Sequence, residues 1–377
     1  MITENTFVVT AQVEFTQAAV TELKQIDSST TIVEELTPGV VLCSTSDVEV
    51  LMRRITKEHP IFVRHLAPVQ TIVDLANNEQ DVGTIAAAIA ALPTFAQLER
   101  GTHFSVQTRF VQGDKSQSER PYSSGRLNQA LAEAFAEETA AVEDVKKPLV
   151  IVSILCTPQK AYAGISLAEE NLSTWPGGAR HFAHTEELIS RAEFKLLEAL
   201  ENFDISLPEQ GRVLDLGSAP GGWSRLLLEA GLRVISVDPA HLDPRLEPYK
   251  QTKQLAHYSG RAEEFLEEAI ERHIMFAAIV NDMRMDARDA ARLLVQAAQC
   301  LREDGFVIST LKLPHATQTI NPLATMREAV RIMQKGYGIV QARQLFHNRQ
   351  EVTVVAAQPL PQPTKPLDYR KPIQERR

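Results

Sequence analysis

With 377 residues, 44% of them hydrophobic and 23% charged, the chain is long enough for two or three packed domains of a globular protein. No apolar run reaches the roughly 20 residues that cross a bilayer, and the start, MITENTFVVT, lacks the basic and apolar regions of a signal peptide, so a cytoplasmic protein with no membrane partner is expected. A formal net charge of −9 excludes a protein that coats nucleic acid with its whole surface, but not an enzyme with a local basic groove.

The chain opens with strand-like alternation in TFVVTAQVEF and a helical pattern in TQAAVTELKQI. Strands in TTIVEEL and GVVLCST and a helix in DVEVLMRRIT complete a small α+β domain over residues 1–70. A second α+β domain over 71–170 reads β-α-β-α-β-β. TIVDLANNEQDVGTIAAAIAALP supplies a strand and a helix, GTHFSVQTRFV a strand, SSGRLNQALAEAFAEET an amphipathic helix, and PLVIVSILCT and KAYAGISL the last strands. Pro176, Gly177 and Gly178 interrupt any regular element in a linker over 171–189.

Strands and helices then alternate over 190–360: RVLDLGS, a helix from Gly221 to Glu229, RVISVDP, a helix around Ala262 to Glu271, and FAAIVNDM. A helix from Asp286 to Leu301, GFVISTLKL, a helix from Ala324 to Lys335, ARQLFH and EVTVVAAQ follow. The pattern is that of an α/β, Rossmann-like domain, a doubly wound and mostly parallel sheet with a final antiparallel strand. The tail over 361–377 is net basic, with Lys365, Arg370, Lys371, Arg376 and Arg377 against Asp368 and Glu375, and is expected to be disordered. Cys43, Cys156 and Cys300 lack CxxC spacing and read as buried thiols, with no metal site.

VLDLGSAPGGWS carries a buried strand into a glycine-rich loop and a helix, where Gly217, Gly221 and Gly222 allow backbone to approach a ligand. Asp215 is placed to order that loop or to meet a cationic ligand. A nicotinamide fingerprint needs glycine at its third position, which here is Ala219, followed by Pro220. Asp238, at the end of the next strand, is placed to accept hydrogen bonds from ribose hydroxyls.

Together, ISRAEFKLLEAL, DLGSAPGGWS, IVNDM, STLKLP and RQLFHNRQEVTV resemble the FtsJ-like RNA ribose 2′-O-methyltransferases. The domain order and the LKLP and ARQLFHNRQEVTV segments are similar to the large-subunit ribosomal RNA (cytidine-2′-O)-methyltransferase M family. The resemblance covers Ser190 to Ala357, and the amino-terminal half by architecture alone, like the ferredoxin-like and THUMP pair of RNA-modifying enzymes. It implies S-adenosyl-L-methionine as cofactor, with the family's positions falling on Ser190, Ala219, Pro220, Gly221, Gly222, Asp238, Asp282 and Glu263. Asp215, Gly217 and Trp223 of the same loop complete the expected cofactor site. It further implies a catalytic tetrad of Lys195, Asp282, Lys312 and Glu351. The acceptor it implies is structured RNA, a cytidine of large-subunit ribosomal RNA or of its assembly intermediate.

Elementary chemistry agrees, because Asp282 and Lys312 follow apolar strands and Glu351 opens another, at the edge where such sheets build sites. A ribose hydroxyl is a poor nucleophile at neutral pH, and Lys312 is the candidate proton acceptor, or the group that holds the hydroxyl in line. Burial and a second cation at Lys195 would favour a neutral Lys312, whereas Asp282 and Glu351 oppose it. Singly, each residue has a plainer reading: Lys195 a solvated charge, Asp282 a helix cap, Lys312 a strand end, Glu351 a partner of Arg349. For RNA, Arg109, Lys115, Arg120 and Arg126 surround YSSGRLNQAL as candidate phosphate ligands, and Trp175, Arg180, His181 and Phe182 as stacking or phosphate contacts; a solvated loop and core packing are the alternatives.

Three rivals remain. An acceptor on a base nitrogen or a protein predicts Asn/Asp-Pro-Pro-aromatic where NDMRMD stands, an RNA-binding homologue without catalysis predicts a damaged tetrad or loop, and a nicotinamide oxidoreductase needs a different loop.

Overall fold

The computed structural model describes residues 5–111, 120–183, 185–315 and 321–361. The chain folds as two compact units, Met1–Arg180 and His181–Arg377.

The first unit begins with β1 (Thr6–Thr10), α1 (Thr16–Ile26), β2 (Thr31–Thr37), β3 (Val40–Ser44), α2 (Val48–Glu58) and β4 (His65–Val69). Its strands form an antiparallel sheet in the order β2-β3-β1-β4, the split β-α-β arrangement. The alternation expected to run to Phe15 stops at Thr10, and Val13–Phe15 make one 3₁₀ turn. That turn seats Phe15 against Phe62, with ring centroids 4.9 Å apart. A second sheet, β5-β9-β8-β6-β7, is built from β5 (Thr71–Asp74), β6 (His103–Phe110), β7 (Val142–Glu143), β8 (Val150–Cys156) and β9 (Lys160–Leu167), with α3 (Gln80–Ala90) and α4 (Ser124–Thr139) between them. Val8, Leu42 and Val69 pack with Leu155 and Tyr162 in one buried cluster, so the two sheets share a core. Part of the expected linker belongs to this unit: Gln107 Nε2 donates to the Thr174 carbonyl (2.6 Å), and Arg109 Nη1 and Thr10 Oγ1 both donate to that of Gly177 (2.8 Å).

The second unit contains α5 (Glu193–Asn202), β10 (Arg212–Leu216), α6 (Gly222–Glu229), β11 (Arg233–Val237), α7 (Glu247–Gln251), β12 (Leu255–Tyr258), α8 (Ala262–Glu271) and β13 (Phe276–Asn281). α9 (Ala287–Ala297), β14 (Leu301–Lys312), α10 (Pro322–Met333), β15 (Tyr337–Arg343) and β16 (Glu351–Pro359) complete it. The sheet runs β12-β11-β10-β13-β14-β16-β15, parallel except that β16 is antiparallel to both neighbours. All six residues of β13 are buried, as its unbroken apolar run requires of a central strand covered on both faces. Chain order reverses between β10 and β13, and the carboxyl ends of strands at such a switch point are where open α/β sheets bind ligands.

Several elements differ from expectation, and α10 lies at Pro322–Met333 where Ala324–Lys335 was read. The helix read from Asp286 to Leu301 ends at Ala297, and Leu301 already belongs to β14. β12 was not anticipated. The strand read into ARQLFH lies earlier, at Tyr337–Arg343, and the residues that follow form a loop tied by Asn348, whose Oδ1 accepts from Leu345 N (2.9 Å) and Thr353 N (3.2 Å). No helix among the described residues is long and apolar enough to cross a membrane.

Candidate active site

At the switch point β13 ends in Asn281, and Asp282 is pinned by its own amide, which donates to the Leu216 carbonyl at the end of β10 (3.1 Å). The antiparallel pairing of β14 with β16 sets Lys312 directly opposite Glu351. Helix α5 supplies Lys195. Its Nζ lies 3.1 Å from both oxygens of Asp282 and 2.7 Å from Glu351 Oε1. Lys312 Nζ lies 2.6 Å from Asp282 Oδ1 and also bonds Glu351 Oε2. The four side chains thus form a closed quartet in which each ammonium meets both carboxylates and formal charge cancels.

The quartet is largely withdrawn from water, with side chains 17% (Lys195), 16% (Asp282), 22% (Lys312) and 7% (Glu351) exposed. Burial acts to lower the Lys195 pKa, but Asp282 and Glu351 outweigh it and hold the ammonium above its ordinary value. Burial likewise pushes Asp282 up, yet Lys312 and Lys195 prevail and keep it below the usual carboxylate range. The plainer single-residue roles are filled elsewhere: the cap of α9 is Asp286, which accepts from Arg288 N. Glu351 meets the two lysines.

Thr310 was missed in the sequence. Its hydroxyl donates to Asp282 Oδ1 and accepts from Lys312 Nζ (2.9 Å). A signal was present, since Thr310 and Lys312 are two apart on one strand and share a face.

Beside the quartet, the glycine-rich loop leaves β10 and enters α6. Gly217 has φ +71°, and a Cβ there would lie 2.9 Å from the Met283 backbone, so no other residue fits without moving the segment after Asp282. A Cβ on Gly222 would lie 2.6 Å from Ser190 Oγ and 2.9 Å from Glu193 Cγ. Asp238 accepts from the amides of Ala219 (3.1 Å) and Ala240 (2.8 Å), tying the loop to the end of β11. Asp215 is fully buried, accepts from Ser224 Oγ (2.6 Å) and is pushed by burial up to about 7. The Trp223 indole is also buried and donates to the Ala192 carbonyl (2.7 Å). Asp215 and Trp223 therefore brace the loop from beneath. Glu263 lies in the first turn of α8, 3.8 Å from Arg261, beyond the carboxyl end of β12, the strand next to β11.

The hydroxyls of Ser190 and Ser218 are buried without a hydrogen-bond partner among the described residues. Unsatisfied buried hydroxyls are uncommon and cost stability, so two at one glycine loop suit a polar ligand that supplies the missing bonds. Ser190 is set by Glu193, also unanticipated, a wholly buried carboxylate that accepts from Ile189 N (2.8 Å) and Ser190 N (3.4 Å) and pairs with Arg225.

Among the described residues, Arg109, Arg120 and Arg126 are not gathered into the expected phosphate cluster. Arg120 is buried, donating to Asn77 Oδ1 (2.6 Å) and the Thr157 carbonyl (2.7 Å), and Arg109 is turned to Gly177; Arg126 is exposed. Lys115 and the cations from Lys365 onward lie outside the described residues. The expected stacking group is divided: Arg180 covers the Trp175 ring at 4.1 Å in the first unit, whereas His181 and Phe182 join an aromatic cluster in the second.

Residues 188–357 match the FtsJ-like methyltransferase family. Ribosomal RNA large subunit methyltransferase M of Shewanella frigidimarina is 27% identical over 324 residues, covering 81% of this chain and 82% of the relative. The protein of that name from Shewanella halifaxensis is 28% identical over 321 residues, covering 82% and 83%. The one from Halorhodospira halophila is 32% identical over 205 residues, covering 52% and 53%.

Proposed function

We propose that residues 188–357, which match the FtsJ-like methyltransferase family, use S-adenosyl-L-methionine to methylate a ribose 2′-hydroxyl, that of a cytidine in large-subunit ribosomal RNA. The substrate is the RNA itself or an assembly intermediate in the cytoplasm, and the first unit positions it. The closed quartet of Lys195, Asp282, Lys312 and Glu351 at the switch point, next to a glycine loop where the Ser218 and nearby Ser190 hydroxyls have no partner among the described residues, carries this proposal. The names of the relatives support the ribosomal substrate.

Ser190, Ser218, Asp238 and the amides of the glycine loop would hold the cofactor, which when bound supplies an electrophilic methyl group on a sulfonium. Asp282 and Glu351 hold the two lysines at fixed positions. Lys312 Nζ faces three acceptors, Asp282 Oδ1, Thr310 Oγ1 and Glu351 Oε2. To act as the base, Lys312 would first lose one proton to solvent and then take the 2′ proton as the O–C bond forms and the methyl–sulfur bond breaks, the electron pair staying on sulfur to leave a neutral thioether; the two carboxylates would then stabilise the ammonium that results. Holding the hydroxyl in line contributes several kcal/mol besides.

Incubation with labelled S-adenosyl-L-methionine and unmodified large-subunit ribosomal RNA, followed by nucleoside analysis, tests the acceptor. 2′-O-methylcytidine is expected; a base-methylated nucleoside would overturn the ribose assignment.

A further inference from the structure

Five rings are in contact around the elements that deliver Lys195 and Glu351, three of them on those elements and two, His181 and Phe182, in the segment before α5. Phe194 immediately precedes Lys195 on α5, and Phe346 and His347 lie in the loop that leads into Glu351. Phe182 stacks on Phe194 (5.8 Å, 15° between planes), and His347 sits 5.3 Å from Phe194 and 5.4 Å from Phe182. Phe346 meets His347 edge-on at 5.2 Å and His181 at 4.8 Å.

Exposure rises outward through this cluster. Phe194 is buried, Phe182, Phe346 and His347 are half-buried, and His181 is exposed. Rings whose only task was to fill a core would be covered at the outer end as well.

The cluster is fixed by an expensive device. Glu198, 4% exposed, accepts from Phe346 N (2.8 Å), His347 N (2.9 Å) and His347 Nδ1 (2.7 Å). A buried carboxylate is costly unless fully bonded, and here its bonds hold a loop whose rings remain half open to solvent. With Nδ1 taken, Nε2 is the ring nitrogen of His347 left to meet a base edge.

We infer that the ring of Phe346, held edge-on by His347 and His181, is the face on which the base of the target nucleotide stacks while its ribose enters the Lys-Asp-Lys-Glu quartet. This rests on the RNA reading proposed above. A pre-fixed aromatic face is the general means by which proteins hold an unstacked base, and stacking needs no particular base identity; here one ring face is offered, that of Phe346, with His347 and His181 set edge-on to it at 82° and 71°. Glu198 is then a positioning residue that acts through the loop.

Equilibrium binding of unmodified ribosomal RNA and the KM and kcat of methyl transfer test this, with cofactor affinity from calorimetry as the control for folding. Phe346→Ala should weaken RNA binding and raise KM about tenfold, an effect of the size that removing one stacking ring produces. Cofactor affinity should stay unchanged, Phe346→Trp should restore RNA binding, and His181→Ala should weaken it less. Should Phe346→Ala also lose the cofactor, Phe346→Leu decides, because it fills the same space without a π face. RNA affinity in Phe346→Leu equal to wild type would overturn the stacking face. A base-methylated product from the wild type would overturn the ribose reading instead, while the dependence of RNA binding on these rings is read from the same proteins.

Discussion

Replacing Lys195 by methionine keeps the reach of the α5 side chain and removes one of the two cations from the quartet. A unit pair at the 3.1 Å that separates Lys195 from Asp282 attracts by about 5 kcal/mol at an effective dielectric of about 20. Desolvation offsets much of this, and removing one partner of a buried pair typically costs about 3–5 kcal/mol. The lower end, about 3 kcal/mol, is expected, since Lys312 still faces both carboxylates. The pH dependence has a defined sign. The Asp282 pKa is depressed in the fold, so its contribution is present above the unfolded value of about 3.9 and lost as pH falls through the lower folded value. The Lys195 pKa is raised, so its contribution is present below about 10.4 and lost as pH rises through the higher folded value. The gap between wild type and Lys195→Met is therefore widest near neutral pH and narrows toward both extremes. Urea unfolding of the second unit can be followed through Trp223 in a Trp175→Phe background, since the chain has only 2 tryptophans. A gap below about 0.5 kcal/mol at pH 7, within the range of ordinary surface changes, or a gap that widens in acid, would refute the reasoning.

Gly222→Ala should weaken S-adenosyl-L-methionine binding about tenfold or more and lower stability by about 1–3 kcal/mol, because the new Cβ meets both Ser190 Oγ and the buried Glu193; calorimetry showing wild-type affinity would remove Ser190 from the cofactor site. Asp215, raised by burial to about 7, favours its protonated form in the fold, so its contribution to stability is full below about 3.9 and lost as pH rises through 7. Asp215→Asn should flatten that decline in urea titrations between pH 4 and 7, and an unchanged slope would show that the carboxyl is ionised at no cost. Thr310→Val removes the hydroxyl shared by Asp282 and Lys312 at nearly constant shape and should slow methyl transfer about tenfold with cofactor affinity intact, by the loss of hydrogen bonds to charged groups; an unaltered rate would exclude Thr310 from the site.

The sequence made the second unit legible where residue type and local geometry coincide. The run VLDLGSAPGGWS carries both the apolar strand and the glycines that Met283 and Ser190 require, and the loop is found where it was expected. β12 escaped because LAHY is four residues long with one buried position, too little for periodicity to register. The strand placed in ARQLFH was misjudged because its apolar residues serve another end. Leu345 is buried in the core, and Phe346 is held by Glu198 from a different element, a tertiary contact that no local pattern announces. β15 itself has one buried residue, Tyr337, followed by Gly338 and exposed or half-buried positions, so it lacked an apolar signature. Charged residues of the quartet were visible through their motifs, whereas Thr310, Glu193 and Glu198 were not. A hydroxyl in a strand and acids on a helix look ordinary until folding sets Asp282, Ser190 and His347 against them.

The most direct test of the proposed chemistry is single-turnover methyl transfer from labelled S-adenosyl-L-methionine to unmodified large-subunit ribosomal RNA, comparing wild type with Lys312→Ala at matched cofactor occupancy. Wild type should form 2′-O-methylcytidine, and Lys312→Ala should lose at least about a hundredfold in rate, the usual scale of a proton acceptor, while binding the cofactor as wild type does. Turnover by Lys312→Ala at the wild-type rate would contradict the proposed site.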